Sequence, residues 1–204
     1  MTTTLRFPIA AQDHVQGATD APITLVEYGD YQCPYCARAH PIVKQLQRRF
    51  GEQLLVVYRN FPLSEIHPRA LPAAQAAESV GAQLGNDGYW KMHDAIFEHQ
   101  HDSPAALSDA RLAEYAASVG ADPAVVARDL KSGAFVDRIQ ADFAGGVRSG
   151  VNGTPTFFAN GERYDGDWTD VDTFARDLTR QAGERSARPT ATVPRSDVGI
   201  TPPP

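Results

Sequence analysis

Two cysteines, Cys33 and Cys36, stand where a buried strand gives way to a helix, and this junction limits the possible folds more than any other feature of the chain. Residues 23–28 (ITLVEY) form a β-branched, apolar run bounded by Gly29, the pattern of a central strand. From Pro34 the apolar residues Ile42, Val43, Leu46 and Phe50 recur at spacings compatible with one helical face until Gly51, so a helix is expected to open at the cysteines. Residues 54–58 (LLVVY) predict a second strand. Its parallel pairing with the first needs the intervening helix as crossover, giving a βαβ unit.

Residues 61–150 carry no convincing strand and several Ala-rich helical stretches: 73–84, 89–100, 107–119 and 123–131. Ser108 and the Asp122-Pro123 pair are N-cap signals, and Pro72 argues for a late helix start. Strand character returns at 156–159 (TFFA). Asn160-Gly161 then suits a two-residue hairpin turn, with 162–164 returning. A closing helix is expected over 169–181, with Val171, Phe174 and Leu178 on one face and Gly183 as its stop. Residues 184–204, with Pro189, Pro194 and three terminal prolines, predict a flexible tail. The element order predicts an α/β fold: a mixed sheet flanked by helices and interrupted by a helical subdomain. A length of 204 residues suits one domain with such an insertion.

Two cysteines are too few for a stapled secreted scaffold, and a loop this short would restrain the unfolded chain little, so the pair points to reactivity. At a helix N-terminus the unpaired N–H groups and the dipole favour a thiolate, which assigns Cys33 as nucleophile. Pro34 fits the first helical position and, with Tyr35, shapes and tunes the turn. Cys36, one turn further on, can attack a mixed disulfide on Cys33 and act as resolver. The alternative is a zinc half-site completed by His40, with His14, His67, His93, His99 and His101 as further candidates. His99 and His101 read better as surface residues, no second cysteine pair exists, and tetrahedral sites want four ligands, so no metal is expected. Glu27 is the one charged residue of its apolar strand. Desolvation there should raise its pKa and suit it to proton transfer, the alternative being a strand-end carboxylate reaching water.

A formal charge of −6 has the wrong sign for gripping a phosphate backbone, so no nucleic acid is expected as partner. No run approaches the ~20 apolar residues of a membrane span, and the opening residues lack an apolar leader. A cytoplasmic location is therefore expected, although an exported chain with its leader removed would read the same.

The segments EYGDYQCPYC and VNGTPTFFANG, together with NFPLSEIHP and YWKMHDAIFEHQ between them, resemble the DsbA-like branch of the thioredoxin superfamily. The resemblance covers residues 13–183. It implies a thioredoxin fold with 62–150 as a helical insertion, and thiol–disulfide exchange with protein substrates and a redox partner, without organic cofactor. It further implies that Pro155 is cis and lies against the cysteines, that Thr154 offers backbone groups to an extended substrate, and that Glu27 helps deprotonate Cys36. An ordinary proline opening a strand is the alternative for Pro155. The better-known periplasmic oxidases carry Pro-His between the cysteines. Pro34-Tyr35 is also the glutaredoxin dipeptide, which leaves the direction of electron flow open. A glutathione-dependent reductase and a zinc-binding or chaperone-like module remain as rival functions.

Overall fold

The computed structural model describes residues 3–186. These form a five-stranded mixed sheet in the order β1-β3-β2-β4-β5, with β1 at His14–Gln16, β2 at Ile23–Gly29, β3 at Leu54–Asn60, β4 at Thr156–Ala159 and β5 at Glu162–Tyr164. β2 and β3 are parallel, with Leu25 beside Val56, and α1 (Pro34–Phe50) is their crossover. This is the expected βαβ unit. Gly51 follows α1 at φ 55, where a residue without Cβ ends a helix at no steric cost. The β4–β5 hairpin turns through Asn160 (φ 51) and Gly161 (φ 85), the left-handed pair that a two-residue turn requires.

Strand alternation divides the core in two. Ile23, Leu25, Leu54, Val56, Tyr58, Phe157 and Ala159 face α1, α2 (Ala70–His99) and α6 (Val171–Ser186). Val26, Tyr28, Leu55, Val57 and Phe158 face the other way, toward Phe143 of α5 (Val136–Arg148) and toward Leu5 and Ile9. α2, α3 (Asp109–Ser118) and α4 (Pro123–Ser132) pack on one another, whereas α5 lies on β3 and α2. Ser108 and Asp122 cap α3 and α4 as expected, accepting from the N–H groups of Arg111 and Ala124. No described helix is long and apolar enough to cross a membrane.

The expected helices 73–84 and 89–100 both form, as two segments of α2 that meet at Gly85, whose backbone (φ 75, ψ −168) is not helical. Three expectations need correction. α2 starts at Ala70, before Pro72, because a proline in the first turn removes an N–H that would have no intrahelical acceptor. Gly183 does not stop α6, which runs to Ser186. Glycine ends a helix by turning left-handed, and Gly183 keeps a negative φ. The first residues of the expected tail are thus helical, and 187–204 lie outside the described residues. The sequence reading also passed over β1 and α5. β1 has three residues, too few for a period, and α5 contains Gly145-Gly146, which weaken helix propensity. Those glycines allow close approach: a Cβ on Gly146 would stand 2.7 Å from the Phe61 ring.

Arg59, on the α5-facing side of β3, is buried with every donor used. Nε and Nη2 reach Asp13 at 2.8 Å each, Nη1 reaches Phe7 O and Tyr28 Oη, and Nη2 also reaches Pro8 O. This clamps the N-terminal segment over the sheet. Asp13→Ala would strand a buried guanidinium, and a loss of about 3–5 kcal/mol is expected in urea unfolding. The Asp13→Ala/Arg59→Met pair should lose much less.

Candidate active site

The loop between β2 and α1 is tied by Asp30. Its Oδ1 accepts from the N–H groups of Gln32 (2.7 Å) and Cys33 (3.1 Å), and its Oδ2 accepts from Leu63 N–H and lies 2.8 Å from His67 Nδ1. Cys33 is thereby fixed as the N-cap of α1, in extended conformation (φ −71, ψ 124), with Pro34 opening the helix. Gln100, at the end of α2, donates from Nε2 to Cys33 O at 3.3 Å, so the helical block also holds the cysteine. Tyr35 is 56% exposed beside the site, with the Arg38 guanidinium 6.0 Å from its ring centroid.

Both cysteines are reduced. The Cys33 thiol lies 3.4 Å from Thr154 O, and the Thr154–Pro155 peptide is cis. The Cys33 pKa is lowered to about 5. The Cys36 thiol donating to its sulfur is the largest cause, burial opposes it, and Thr154 and the N–H groups of Cys36 and Tyr35 add to the lowering. Thr154 Oγ1 has no other hydrogen-bond partner and is the side-chain donor available to a thiolate there. Cys36 is fully buried, and its pKa is pushed well above 9.0. Burial leads, followed by its hydrogen bond to Cys33 and the charges of Glu27 and Cys33, against which Asp30 N–H at 3.4 Å from Sγ works slightly. Two thiols of one motif are thus driven apart: one ionised at neutral pH, the other a protonated donor.

Glu27 lies on the α1-facing side of β2, between Tyr58 of β3 and Phe157 of β4 in register. It is 4% exposed, so it does not reach water as a strand-end carboxylate would. Its pKa is raised to about 8, by burial first and by the Cys33 charge second. Its sheet face is the one that packs on α1, the helix that opens at the cysteines. Chemically, the arrangement offers a thiolate nucleophile, a second thiol one turn behind it, and a buried carboxylate able to exchange a proton near pH 8.

The zinc alternative does not assemble. His40 Nε2 lies 2.9 Å from Asp94 Oδ1, and the described residues that cluster with ligand spacing are His40, His93 and Asp94, without either cysteine. Lys44 Nζ sits 2.6 Å from Asp94 Oδ2, an ammonium where a cation would need the carboxylate. The other histidines are elsewhere: His14 against Glu78 and stacked on Tyr89, His67 on Asp30, His99 on Asp102, and His101 exposed. Sequence reasoning missed Asp30 and Gln100. Asp30 carried a signal, since an Asp two or three residues before the N–H groups it binds is an Asx-turn pattern. Gln100 carried none.

Glu27 makes stability depend on pH in a defined sense. Its folded pKa of about 8 exceeds the ordinary 4.5, so the folded state holds the proton more tightly. That stability is complete below pH 4.5 and is lost as pH rises through 8. Glu27→Gln should therefore match the reduced wild type near pH 4.5 and exceed it by roughly 2–4 kcal/mol at pH 9, read by urea unfolding. Cys33 shifts in the opposite sense, and the difference between the two proteins isolates Glu27.

The chain matches the family model Thioredoxin_4, described as thioredoxin, over residues 10–176. A curated relative named Na(+)/H(+) antiporter NhaA 1, from Mycolicibacterium gilvum, is 38% identical over 159 residues, covering 77% of this chain and 25% of the relative. The chain therefore spans about a quarter of the length of the curated relatives it matches first. Among solved structures, oxidised BdbD from Bacillus subtilis superposes with TM-score 0.76 at 24% identity, covering 84% of this chain and 93% of that one. Wolbachia pipientis alpha-DsbA1 gives 0.74 at 21% identity, covering 88% and 95%. The chain belongs to the thioredoxin family, and its fold is that of the DsbA-type thiol–disulfide oxidoreductases, a thioredoxin sheet with inserted helices.

Proposed function

We propose that this protein exchanges disulfides with protein substrates through Cys33 and Cys36 of the CPYC motif, with Glu27 as proton acceptor for the resolving step and Thr154-Pro155 as substrate-facing loop. The observation that carries this reading is the opposed ionisation of the two thiols in one helical turn: Cys33 at about 5, Cys36 well above 9.0. A thiolate attacks a disulfide sulfur, and a thiol does not. Cys33 therefore attacks first, forming a mixed disulfide and releasing one substrate thiolate. Once Cys33 is so bonded it carries no charge. Its hydrogen bond and its repulsion no longer hold the Cys36 proton, leaving burial and Glu27 as the principal restraints. Cys36 then loses its proton to Glu27, attacks Cys33 Sγ and expels the second substrate thiolate. Run backwards, the same steps oxidise a substrate dithiol.

Direction follows from the thiolate. A lower Cys33 pKa stabilises the reduced protein and makes the disulfide more oxidising. Thiolates of thioredoxin and DsbA titrate near 7 and 3.5, with potentials near −270 and −120 mV. A value of about 5 falls between them. That favours an exchanger able to work either way, its direction set by the redox partner, over a dedicated strong oxidant. Nothing in the site favours glutathione as obligate co-substrate.

Cys33→Ser should abolish reduction of insulin disulfides, and Cys36→Ser should instead accumulate mixed disulfides visible by mass spectrometry. A Cys33→Ser protein with normal turnover would overturn the assignment. Equilibration with glutathione buffers should give a potential between those of thioredoxin and DsbA. Tyr35→His should raise it by no more than about 30 mV, because a partly cationic ring favours the thiolate but that side chain is open to solvent screening.

A further inference from the structure

The chemistry beneath Cys33 leaves one buried negative charge to account for. While Cys36 resolves, the proton sits on Cys36 or on Glu27, so the pair carries a single charge in both states. Both groups have little access to water: Cys36 is fully buried and Glu27 nearly so. No hydrogen bond from another described side chain reaches the Glu27 carboxylate. A buried charge of this kind needs a donor.

The polar groups around the pair are nearly all spoken for. The Tyr31 hydroxyl is 3.0 Å from His93 Nδ1 and 3.3 Å from the Tyr89 hydroxyl. His93 is held neutral by burial, its pKa well below 6.5. The Asp30 carboxylate is occupied by Gln32, Cys33, Leu63 and His67. β4 and α6 supply apolar Phe157, Phe174 and Leu178. Besides the Thr154 hydroxyl at Cys33, the exception is Tyr58, 1% exposed, whose hydroxyl has no hydrogen-bond partner and which, unlike Thr154, stands beside Glu27 on the sheet. Tyr58 is the register neighbour of Glu27 on the same face of the sheet. Its Oη leans along the strand to Gly29, where a Cβ would stand 2.6 Å away. The next residue, Asp30, points its N–H at Cys36 Sγ. An otherwise costly orphan hydroxyl thus stands on the sheet face of the carboxylate, beside the end of β2 whose next N–H meets the sulfur, in space kept open by a glycine.

We propose that Tyr58 is a positioning residue for disulfide exchange: its hydroxyl is the donor that stabilises the negative charge shared by Glu27 and Cys36 during resolution. In that step the Cys36 proton passes to the Glu27 carboxylate. The Cys36 Sγ–Cys33 Sγ bond forms as the Cys33–substrate sulfur bond breaks, and the electron pair leaves on the substrate sulfur. No external oxidant is consumed, and Tyr58 neither gains nor loses a proton overall.

This inference rests on the proposed function, and its test separates the two. Reduced wild type, Tyr58→Phe, Glu27→Gln and the double variant are mixed with glutathione disulfide from pH 5.5 to 9.5. Acid-quenched samples then give the rates of mixed-disulfide formation and closure. Tyr58→Phe should leave the first step unchanged, slow closure about tenfold at pH 7 and move its pH midpoint up by about one unit, as expected for losing a hydrogen bond to a charged group. In the Glu27→Gln background the same change should add little. Thermal stability should be unchanged or higher, since the lost hydroxyl had no partner. Carboxyl carbon NMR of the reduced protein, which needs no turnover, should show the Glu27 midpoint rising in Tyr58→Phe. A closure profile and Glu27 midpoint identical to wild type would overturn the proposal, as would a uniform slowing accompanied by a lower melting temperature. Wild type that forms no mixed disulfide at all would overturn the functional reading, whereas an unmoved Glu27 midpoint overturns only the role of Tyr58.

Discussion

Asp30 is the joint on which the site depends. It is buried, and its two oxygens gather four partners from three places: the N–H groups of Gln32 and Cys33, the N–H of Leu63 beyond β3, and the ring of His67. Each bond replaces water that a buried carboxylate would otherwise lack. Together they stop β2 at Gly29, set the extended cap that points Cys33 out of the helix, and draw the segment after β3 against the loop. The βαβ unit puts the cysteines at the end of the central strand, and Asp30 decides how they are presented there.

From that placement the electrostatics follow with few further ingredients. α1 begins at the cysteines, so the N–H groups of Tyr35 and Cys36 face the Cys33 sulfur. Cys36 falls on the helix face that packs on the sheet, and Glu27 is on the sheet face that meets it. Burial raises both pKa values: it withholds the Cys36 proton and makes Glu27 more basic, as the proposed transfer between them requires. A more exposed Glu27 would titrate near 4.5 and be a poor acceptor at neutral pH. The stability given up by burying it above pH 8 is inseparable from the role proposed for it.

Much of this was legible because strand period and helix period are local. ITLVEY and LLVVY gave their strands, the spacing to Phe50 gave α1, and Asn160-Gly161 gave the hairpin. Glu27 stood out as the one charged residue of its strand. What escaped had no local period. β1 exists because it pairs with β3, and α5, with its two glycines, because Phe61 and Tyr28 need a close neighbour. Gln100 and Tyr58 escaped for the same reason. One reaches Cys33 across 67 positions of sequence, and the other matters through an absent hydrogen bond, which no pattern of residue types encodes. Gly183 misled because glycine permits a left-handed stop without requiring one.

The helical block bears on the chemistry through the same long-range contacts. α2 contributes Tyr89 and His93 to the aromatic floor around Tyr31 and Tyr58, and its end supplies Gln100 to the Cys33 carbonyl. A sheet and α1 alone would leave that side of Tyr58 and Glu27 to water, and a solvated carboxylate would return toward its ordinary pKa. The inserted helices therefore do more than widen the molecule. By sealing one flank of the pocket they keep Glu27 basic, so the proton transfer proposed beneath Cys33 would depend on residues up to 67 positions away as well as on the four residues of the motif itself.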